Sequence, residues 1–144
     1  MTRVTPDSEV KKSLIELETN LKAIIHEIKE RASKARIILI DYLPILPENG
    51  SCPALPMTEE QIEKALSVVR QLTDIFTKVA NDNHIDFIPS TEIGEGKDVC
   101  AEDSWIQPYT FKATPLQFGE MAYHPKEEGM EAIAEAIIRL LKEE

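Results

Sequence analysis

The chain is 144 residues long, 42% hydrophobic and 29% charged, a composition that predicts one soluble globular domain over residues 1–144. No apolar run approaches the ~18 residues of a membrane span, and no signal segment is recognisable. With 26 acidic against 16 basic residues the net charge is −10, which argues against nucleic acid as a partner because phosphate binding needs clustered Lys and Arg.

The first predicted element is an amphipathic helix that begins near Thr5-Pro6, where a capping residue precedes proline at the first helical position. Its apolar positions recur with a four-then-three spacing that places them on one helix face. These positions are Val10, Leu14, Leu17, Leu21, Ile24 and Ile28. The pattern is too short for a coiled coil, so we expect this helix to pack on a sheet.

A strand and a long loop follow the first helix. Residues 35–42 form a short apolar run rich in β-branched residues, which predicts a central parallel strand buried on both faces. Prolines crowd the next segment, from Pro44 to Pro56, so that it can be neither helix nor central strand. We expect this loop at the C-terminal edge of the sheet, where α/β proteins tend to bind ligands.

The second helix has a clear start at Thr58-Glu59-Glu60-Gln61, which is a capping-box pattern. It is predicted to end at residues 81–84, with His84 as a turn residue, before a second strand at residues 85–88. Its predicted buried positions are Ile62, Leu66, Val69, Leu72, Phe76 and Val79. A strand, a crossover helix and a strand in this order build a parallel sheet.

A third helix is predicted from about Lys126 to Lys142, because its apolar positions are periodic. Its predicted buried positions are Met130, Ile133, Ala134, Ile137, Ile138 and Leu141. Only two strands are predicted, whereas parallel sheets normally have several strands with both faces covered. Either another polypeptide or a further N-terminal segment supplies more strands, or the chain has been rebuilt to fold without them.

The segment from Pro89 to His124 shows no periodicity, and structureless stretches of this length are usually functional or disordered. It contains aromatic residues that would be costly to leave in water. These are Trp105, Tyr109, Phe111, Phe118 and Tyr123. They could pack under the loop as core or line a pocket beside His124, and the sequence favours neither.

The C-terminal part of the chain contains Ala122-Tyr123-His124-Pro125-Lys126-Glu127-Glu128-Gly129-Met130, preceded by Asp98-Val99-Cys100, Asp103-Ser104-Trp105-Ile106 and Pro108. This string resembles the last sequence block of SGNH (GDSL-type) esterases and lipases of the secreted bacterial branch. The resemblance covers nearly the whole chain and corresponds to the C-terminal half of such an enzyme. It implies an α/β fold with a three-layer flavodoxin-like sheet, incomplete in this chain, and helices on both faces.

In that family a serine near the N-terminus attacks an ester, and a histidine in a D-x-x-H-P-like block is the general base. The resemblance therefore implies that His124 is the general base, at about the N-cap of the last helix. The G-D-S block, the glycine block and the G-x-N-D block of the family have no counterpart in the 144 residues. The implied function is the C-terminal part of a serine ester hydrolase that acts on an ester or lipid and needs no cofactor. Its nucleophile and oxyanion hole would lie on a missing or separate N-terminal segment, and the chain alone would be inactive.

Many SGNH enzymes orient the histidine through an aspartate three residues before it, but Met121 stands at that position here. The backbone carbonyl of Met121 could replace the carboxylate, and Asp103 could reach in from the loop instead. We favour the carbonyl because its nearness in sequence makes the geometry easier. Trp105 and Tyr123 are the candidate substrate-binding residues.

Two cysteines, Cys52 and Cys100, lie in the two irregular segments. The resemblance implies a disulfide between them, and with it a secreted or periplasmic protein. The alternative is two unrelated thiols in a cytosolic protein. No Cys/His spacing typical of a metal site occurs.

Two other functions remain open from the sequence. The chain could be a non-catalytic binding or interaction module that retains a remnant of the fold, or a truncated scaffold selected for folding. His124 could likewise be a structural cap without chemistry. Substrate and acyl length are beyond what similar scaffolds reveal.

Overall fold

The computed structural model describes residues 7–109 and 122–143 and has an α/β fold. The elements in chain order are α1 (Asp7–Arg31), β1 (Ile38–Ile40), α2 (Glu59–Asn83), β2 (Asp86–Ile88), α3 (Ser90–Ile93) and α4 (Glu127–Lys142). The described residues divide into two compact units. The first comprises the chain up to Ile40 together with Ser67–Phe87, and the second comprises Asp41–Leu66 together with the residues from Ile88 onward.

The sheet consists of β1 and β2, which pair in parallel as the strand-helix-strand pattern predicts. The amide of Asp86 donates to the carbonyl of Ile37 at 3.2 Å, and the guanidinium Nε of Arg36 binds the Asp86 carboxylate at 2.7 Å. The prediction that the first strand is buried on both faces was wrong, because all three residues of β1 are only half-buried. A sheet of two strands covers little of either face.

The capping box at the start of α2 is confirmed. The amide of Thr58 donates to Oε1 of Gln61 at 2.9 Å, and the amide of Gln61 donates to Oγ1 of Thr58 at 3.3 Å, so each side chain satisfies a backbone group that the helix leaves free. The helix ends at Asn83, and His84 follows with a φ of 50°. This left-handed conformation confirms His84 as the turn residue before β2.

In the first unit, α1 packs on the C-terminal part of α2. The buried residues are Leu14, Ile25, Val79 and Ala80. The predicted stripe of α1 was wrong at its C-terminal end, because Ile24 is 55% and Ile28 37% exposed while Ile25 is buried. The spacing identified the helix, but the packing partners decide which edge of the apolar face is covered.

A network of four charged side chains links α1 to α2 within the first unit. Its members are Glu18, Lys22, Lys78 and Asp82. Lys22 binds the Glu18 carboxylate at 2.7 Å, and Lys78 also contacts it. Hydrogen bonds first from Lys22 and then from Lys78 lower the pKa of Glu18 from 4.5 to about 2. The network therefore keeps Glu18 ionised at a pH at which a free glutamate side chain would begin to take up a proton.

The second unit has a continuous apolar core. Its buried members are Leu43, Leu55, Ile62, Leu66, Val99 and Ile106. The predicted disulfide between Cys52 and Cys100 is present and packs against this core. It links residues 48 apart, and closing a loop of that length contributes about 4 kcal/mol in the chain-entropy model.

The last helix, α4, is amphipathic, but the prediction of its buried face was wrong in part. Met130 is 56%, Ile138 48% and Leu141 48% exposed. The face toward the core starts with the buried Gly129, where an added Cβ would lie 2.7 Å from Cδ1 of Leu43 and 3.3 Å from the carbonyl oxygen of Trp105. Glycine therefore permits α4 to approach this backbone closely, and the other half of the apolar face is left uncovered.

Across residues 7–109 and 122–143, no helix is both long and apolar enough to span a membrane. Over the same ranges no group of three or more His, Cys, Asp or Glu side chains is arranged to hold a metal ion.

Replacing Glu18 with Gln should flatten the acid dependence of stability. A carboxyl whose pKa is lower in the folded state contributes stability above its unfolded pKa, and that contribution is lost as the pH falls. For Glu18 the loss falls between about pH 4.5 and pH 2. Urea unfolding at pH 6 and pH 3 should show a smaller drop in the free energy of unfolding for Glu18→Gln than for the wild type. The exposed Glu63→Gln is the control, and an equal drop in both variants would contradict the assignment.

Replacing Gly129 with Ala should lower stability, although alanine favours helices by up to about 1 kcal/mol. The added methyl would overlap Leu43, which is only 2% exposed, and overpacking of this kind costs about 1–3 kcal/mol. Ala134→Gly, on the exposed side of α4, measures the helix preference alone. A gain in the free energy of unfolding for Gly129→Ala would show that α4 does not pack as closely as described.

Candidate functional site around His124

The segment that carries His124 is held by antiparallel pairing with residues 105–107. Ile106 pairs with Pro125, and Ile106 is fully buried. The amide of Gln107 donates to the carbonyl of His124 at 2.9 Å, and the amide of Tyr123 donates to the carbonyl of Gln107 at 2.8 Å. The His124 carbonyl and the Tyr123 amide are therefore both bonded to Gln107, the neighbour of the buried Ile106.

His124 does not occupy the N-cap of α4, as the sequence suggested. Pro125 pairs with Ile106, which keeps the chain extended until Lys126, and Lys126 is the N-cap residue. The amide of Lys126 donates to the carbonyl of Trp105 at 2.7 Å, and its ammonium group donates to the carbonyl of Ser104 at 2.7 Å. His124 therefore lies two residues before the cap, with its side chain exposed.

Tyr123 has a strained backbone, with a φ of 63°, which is uncommon for a bulky residue. Its ring stacks on Tyr109 with the centroids 6.4 Å apart, and its hydroxyl donates to the carbonyl of Ala54 at 3.5 Å. Burial, with a smaller contribution from Tyr109, raises the pKa of Tyr123. These contacts hold a left-handed conformation directly before His124, and strain of this kind is common at functional sites.

The described neighbour of the His124 ring is Tyr42. Its hydroxyl oxygen lies 3.4 Å from Nδ1 of His124, and the hydroxyl donates to the carbonyl of Tyr123 at 3.4 Å. Burial raises the pKa of Tyr42, although its side chain is 48% exposed. The imidazole thus meets a neutral hydroxyl on its Nδ1 side.

Thr91 fixes the backbone that carries Tyr42. The single proton of the Thr91 hydroxyl is shared between Oδ2 of Asp41 at 2.7 Å and the carbonyl of Tyr42 at 3.1 Å, and the amide of Thr91 donates to Oδ1 of Asp41 at 3.1 Å. Asp41 and Tyr42 directly follow β1, at the carboxyl end of the strand. This is the edge of the sheet at which α/β proteins tend to bind ligands.

The two predicted orienting groups have different outcomes. The carboxylate of Asp103 contacts Lys97, which lowers the pKa of Asp103, and the side chain is 70% exposed. Met121 lies outside the described residues. Sequence reasoning missed Tyr42, because only folding brings it to His124; its one signal was its position at the end of a predicted strand.

Three of the five aromatic residues of the long loop are described, and one of these, Tyr109, stacks on Tyr123. Trp105 and Tyr123 are half-buried and pack against the core of the second unit, and Lys97 lies 5.7 Å from the centroid of the Trp105 ring. Phe111 and Phe118 lie outside the described residues. Core packing is therefore present for two of these aromatic residues, and their proposed contact with substrate stays a prediction.

The described part of the site contains a base but no nucleophile bonded to it. Within residues 7–109 and 122–143, no hydrogen bond joins a serine to His124. Ser104 exchanges hydrogen bonds of 3.0 Å with the backbone of Ile106, and Ser90 is fully buried with an unpaired hydroxyl. An imidazole in this arrangement can accept a proton, and no serine hydroxyl of the described residues is bonded to it.

Comparison with solved structures found this fold in two Streptomyces enzymes. The crystal structure of phospholipase A1 from Streptomyces albidoflavus NA297 matches 92% of this chain with a TM-score of 0.76 and 20% identity. The extracellular lipase from Streptomyces rimosus matches 90% with a TM-score of 0.70, also at 20% identity. The chain spans 55% and 56% of the lengths of these two enzymes.

Neither a protein-family model nor any curated protein sequence matches the chain. At 20% identity the structural likeness shows the fold and leaves activity to be argued from the site. The chain therefore has a lipase-like α/β fold and corresponds to about half of the lipases that share it.

Proposed function

We propose that this chain is the C-terminal part of a serine ester hydrolase of SGNH type, with His124 as the general base. The observation that carries the proposal is the position of the imidazole. Its backbone is fixed by pairing with Gln107, the side chain is exposed, and Nδ1 faces the Tyr42 hydroxyl. This leaves Nε2 as the nitrogen that would accept a proton from a serine.

The reaction would follow the usual course of acyl transfer. Nε2 of His124 takes the proton of the serine hydroxyl as the serine oxygen attacks the ester carbonyl, and the imidazolium then gives that proton to the leaving alcohol. A water molecule, activated by His124 in the same way, then attacks the acyl-serine and releases the carboxylic acid and the free serine. No cofactor takes part in these steps.

The nucleophile and the oxyanion donors would come from a further segment, either N-terminal to these residues or on a separate polypeptide. Its strands would complete a three-layer flavodoxin-like sheet with helices on both faces. Three observations support this: the sheet of the described residues has two strands, α4 leaves Met130, Ile138 and Leu141 exposed, and the chain spans only 55% and 56% of the lengths of the two matching lipases. We expect the chain alone to be inactive.

The substrate would be an ester or lipid, with Trp105 and Tyr123 beside the acyl group. Two groups were predicted from the sequence to orient His124. The carboxylate of Asp103 forms an ion pair with Lys97, and the Met121 carbonyl stays a prediction. The disulfide and the extracellular origin of a lipase with the same fold support a secreted or periplasmic location.

A second candidate function is a non-catalytic interaction module. The exposed apolar side of α4 favours it, because such a face is typical of a surface that another protein covers. The two functions differ in whether His124 matters: an interaction module would keep its partner when His124 is replaced by alanine.

Labelling with a fluorophosphonate probe, which reacts only with an activated serine, tests the hydrolase. The chain should be isolated from the organism that encodes it, together with any polypeptide continuous with it or bound to it, and the labelled serine mapped by mass spectrometry. We expect one labelled serine outside these 144 residues. His124→Ala should slow labelling by about 10²–10⁴-fold, the usual contribution of a general base.

His26→Ala is the matched control, because His26 is exposed on α1 and its contact with Glu30 lies within the same helix. It should label at the wild-type rate. A labelled serine within residues 1–144 would refute the assignment of the nucleophile to another segment. An absence of labelling in the intact preparation would refute the hydrolase and leave the interaction module.

A further inference from the structure

We infer that Tyr42 is a positioning residue that fixes the tautomer of His124, with the proton on Nδ1 and the lone pair on Nε2. The inference rests on the contacts of three residues: Tyr42, Tyr123 and His124. Its consequence for catalysis rests on the proposed function, whereas the tautomer itself is a property of the chain alone.

The number of available protons favours one direction for the hydrogen bonds between Tyr42, Tyr123 and His124. The Tyr42 hydroxyl has a single proton, and the Tyr123 carbonyl, 3.4 Å away, can only accept. When Tyr42 donates to this carbonyl, its oxygen has a lone pair left for a hydrogen on Nδ1 of His124, also 3.4 Å away. All three groups are then paired. In the opposite arrangement Tyr42 would donate to Nδ1, and the Tyr123 carbonyl would lose the hydrogen bond from this hydroxyl.

The Tyr123 carbonyl and the backbone of Tyr42 are both held in place by contacts that do not involve the imidazole. The left-handed turn at Tyr123 fixes the direction of its carbonyl, and the turn is bonded to Gln107 and stacked on Tyr109. On the other side, Thr91 binds the carbonyl of Tyr42 at 3.1 Å. A tyrosine hydroxyl is protonated at neutral pH, and burial raises the pKa of Tyr42 further, so the donor to the carbonyl is present.

The tautomer decides what His124 can do. Which ring nitrogen carries the proton is set by the hydrogen bond that the other groups make to the ring. A base must offer a lone pair on the nitrogen that faces the serine, and in serine proteases a change that produces the wrong tautomer lowers kcat by about 10⁴-fold. Tyr42, itself bonded to a backbone carbonyl, would thus accept the hydrogen on Nδ1, as the carboxylate does in a catalytic triad.

The side-chain ¹⁵N chemical shifts of the histidines test this in the isolated chain, at a pH where the imidazoles are neutral. His124 is identified by the signal missing from His124→Ala. In the wild type we expect mainly the Nδ1–H form. In Tyr42→Phe the shifts should move to the mixture typical of free histidine, in which Nε2–H predominates.

Two controls accompany the variant. Tyr109→Phe removes a hydroxyl from the same aromatic stack without touching the His124 ring and should leave its tautomer unchanged. His26, on α1, is an internal reference whose signals should be the same in every sample. Equal urea unfolding midpoints confirm that Tyr42→Phe keeps the fold.

A wild-type His124 that is mainly Nε2–H would overturn the inference without any variant. An Nδ1–H form that persists in Tyr42→Phe would overturn it as well and would show that another acceptor, such as the Met121 carbonyl, holds the ring. Because this measurement involves neither a serine nor an ester, its outcome is independent of fluorophosphonate labelling. The inference and the proposed function can therefore fail separately.

Discussion

The candidate site depends on the pairing of Ile106 with Pro125. Ile106 is fully buried, so the short antiparallel bridge ties an exposed histidine to the core of the second unit. The same pairing keeps the chain extended up to Lys126 and delays the start of α4. Gly129 then lets the helix approach the backbone of Trp105. The result is an exposed imidazole on a rigid backbone, and proton transfer in a fixed geometry requires such an arrangement.

Incomplete burial is the second constraint on this chain. The two strands are joined by a crossover helix, yet β1 is only half-buried and α4 keeps part of its apolar face in solvent. The second unit is stabilised by an apolar core and by a disulfide that restricts the conformations of the unfolded chain. In the first unit, ion pairs between α1 and α2 supplement a small core. These features agree with a chain that spans about half the length of the lipases sharing its fold.

Local signals predicted the elements well, because the interactions that define them are close in sequence. The capping box at Thr58 joins residues three apart, and apolar spacing identified all three long helices. Burial was less predictable: Ile24 and Met130 carry the right periodicity but are more than half exposed. Periodicity marks a face that can be buried, and the neighbouring elements decide how much of it is buried.

The sequence by itself determined the three long helices and the parallel pairing of two strands, and it singled out the candidate histidine. It missed the short helix α3, and the cysteine pair was predicted from the resemblance to a family. Only the tertiary structure decided the surroundings of that histidine. Tyr42 reaches His124 across 82 positions, and Asp103 turns to Lys97 instead. Contacts of this kind depend on the path of the backbone and on side-chain direction, so no local pattern encodes them. A motif can therefore identify a base, whereas its hydrogen-bond partner emerges only when distant segments pack together.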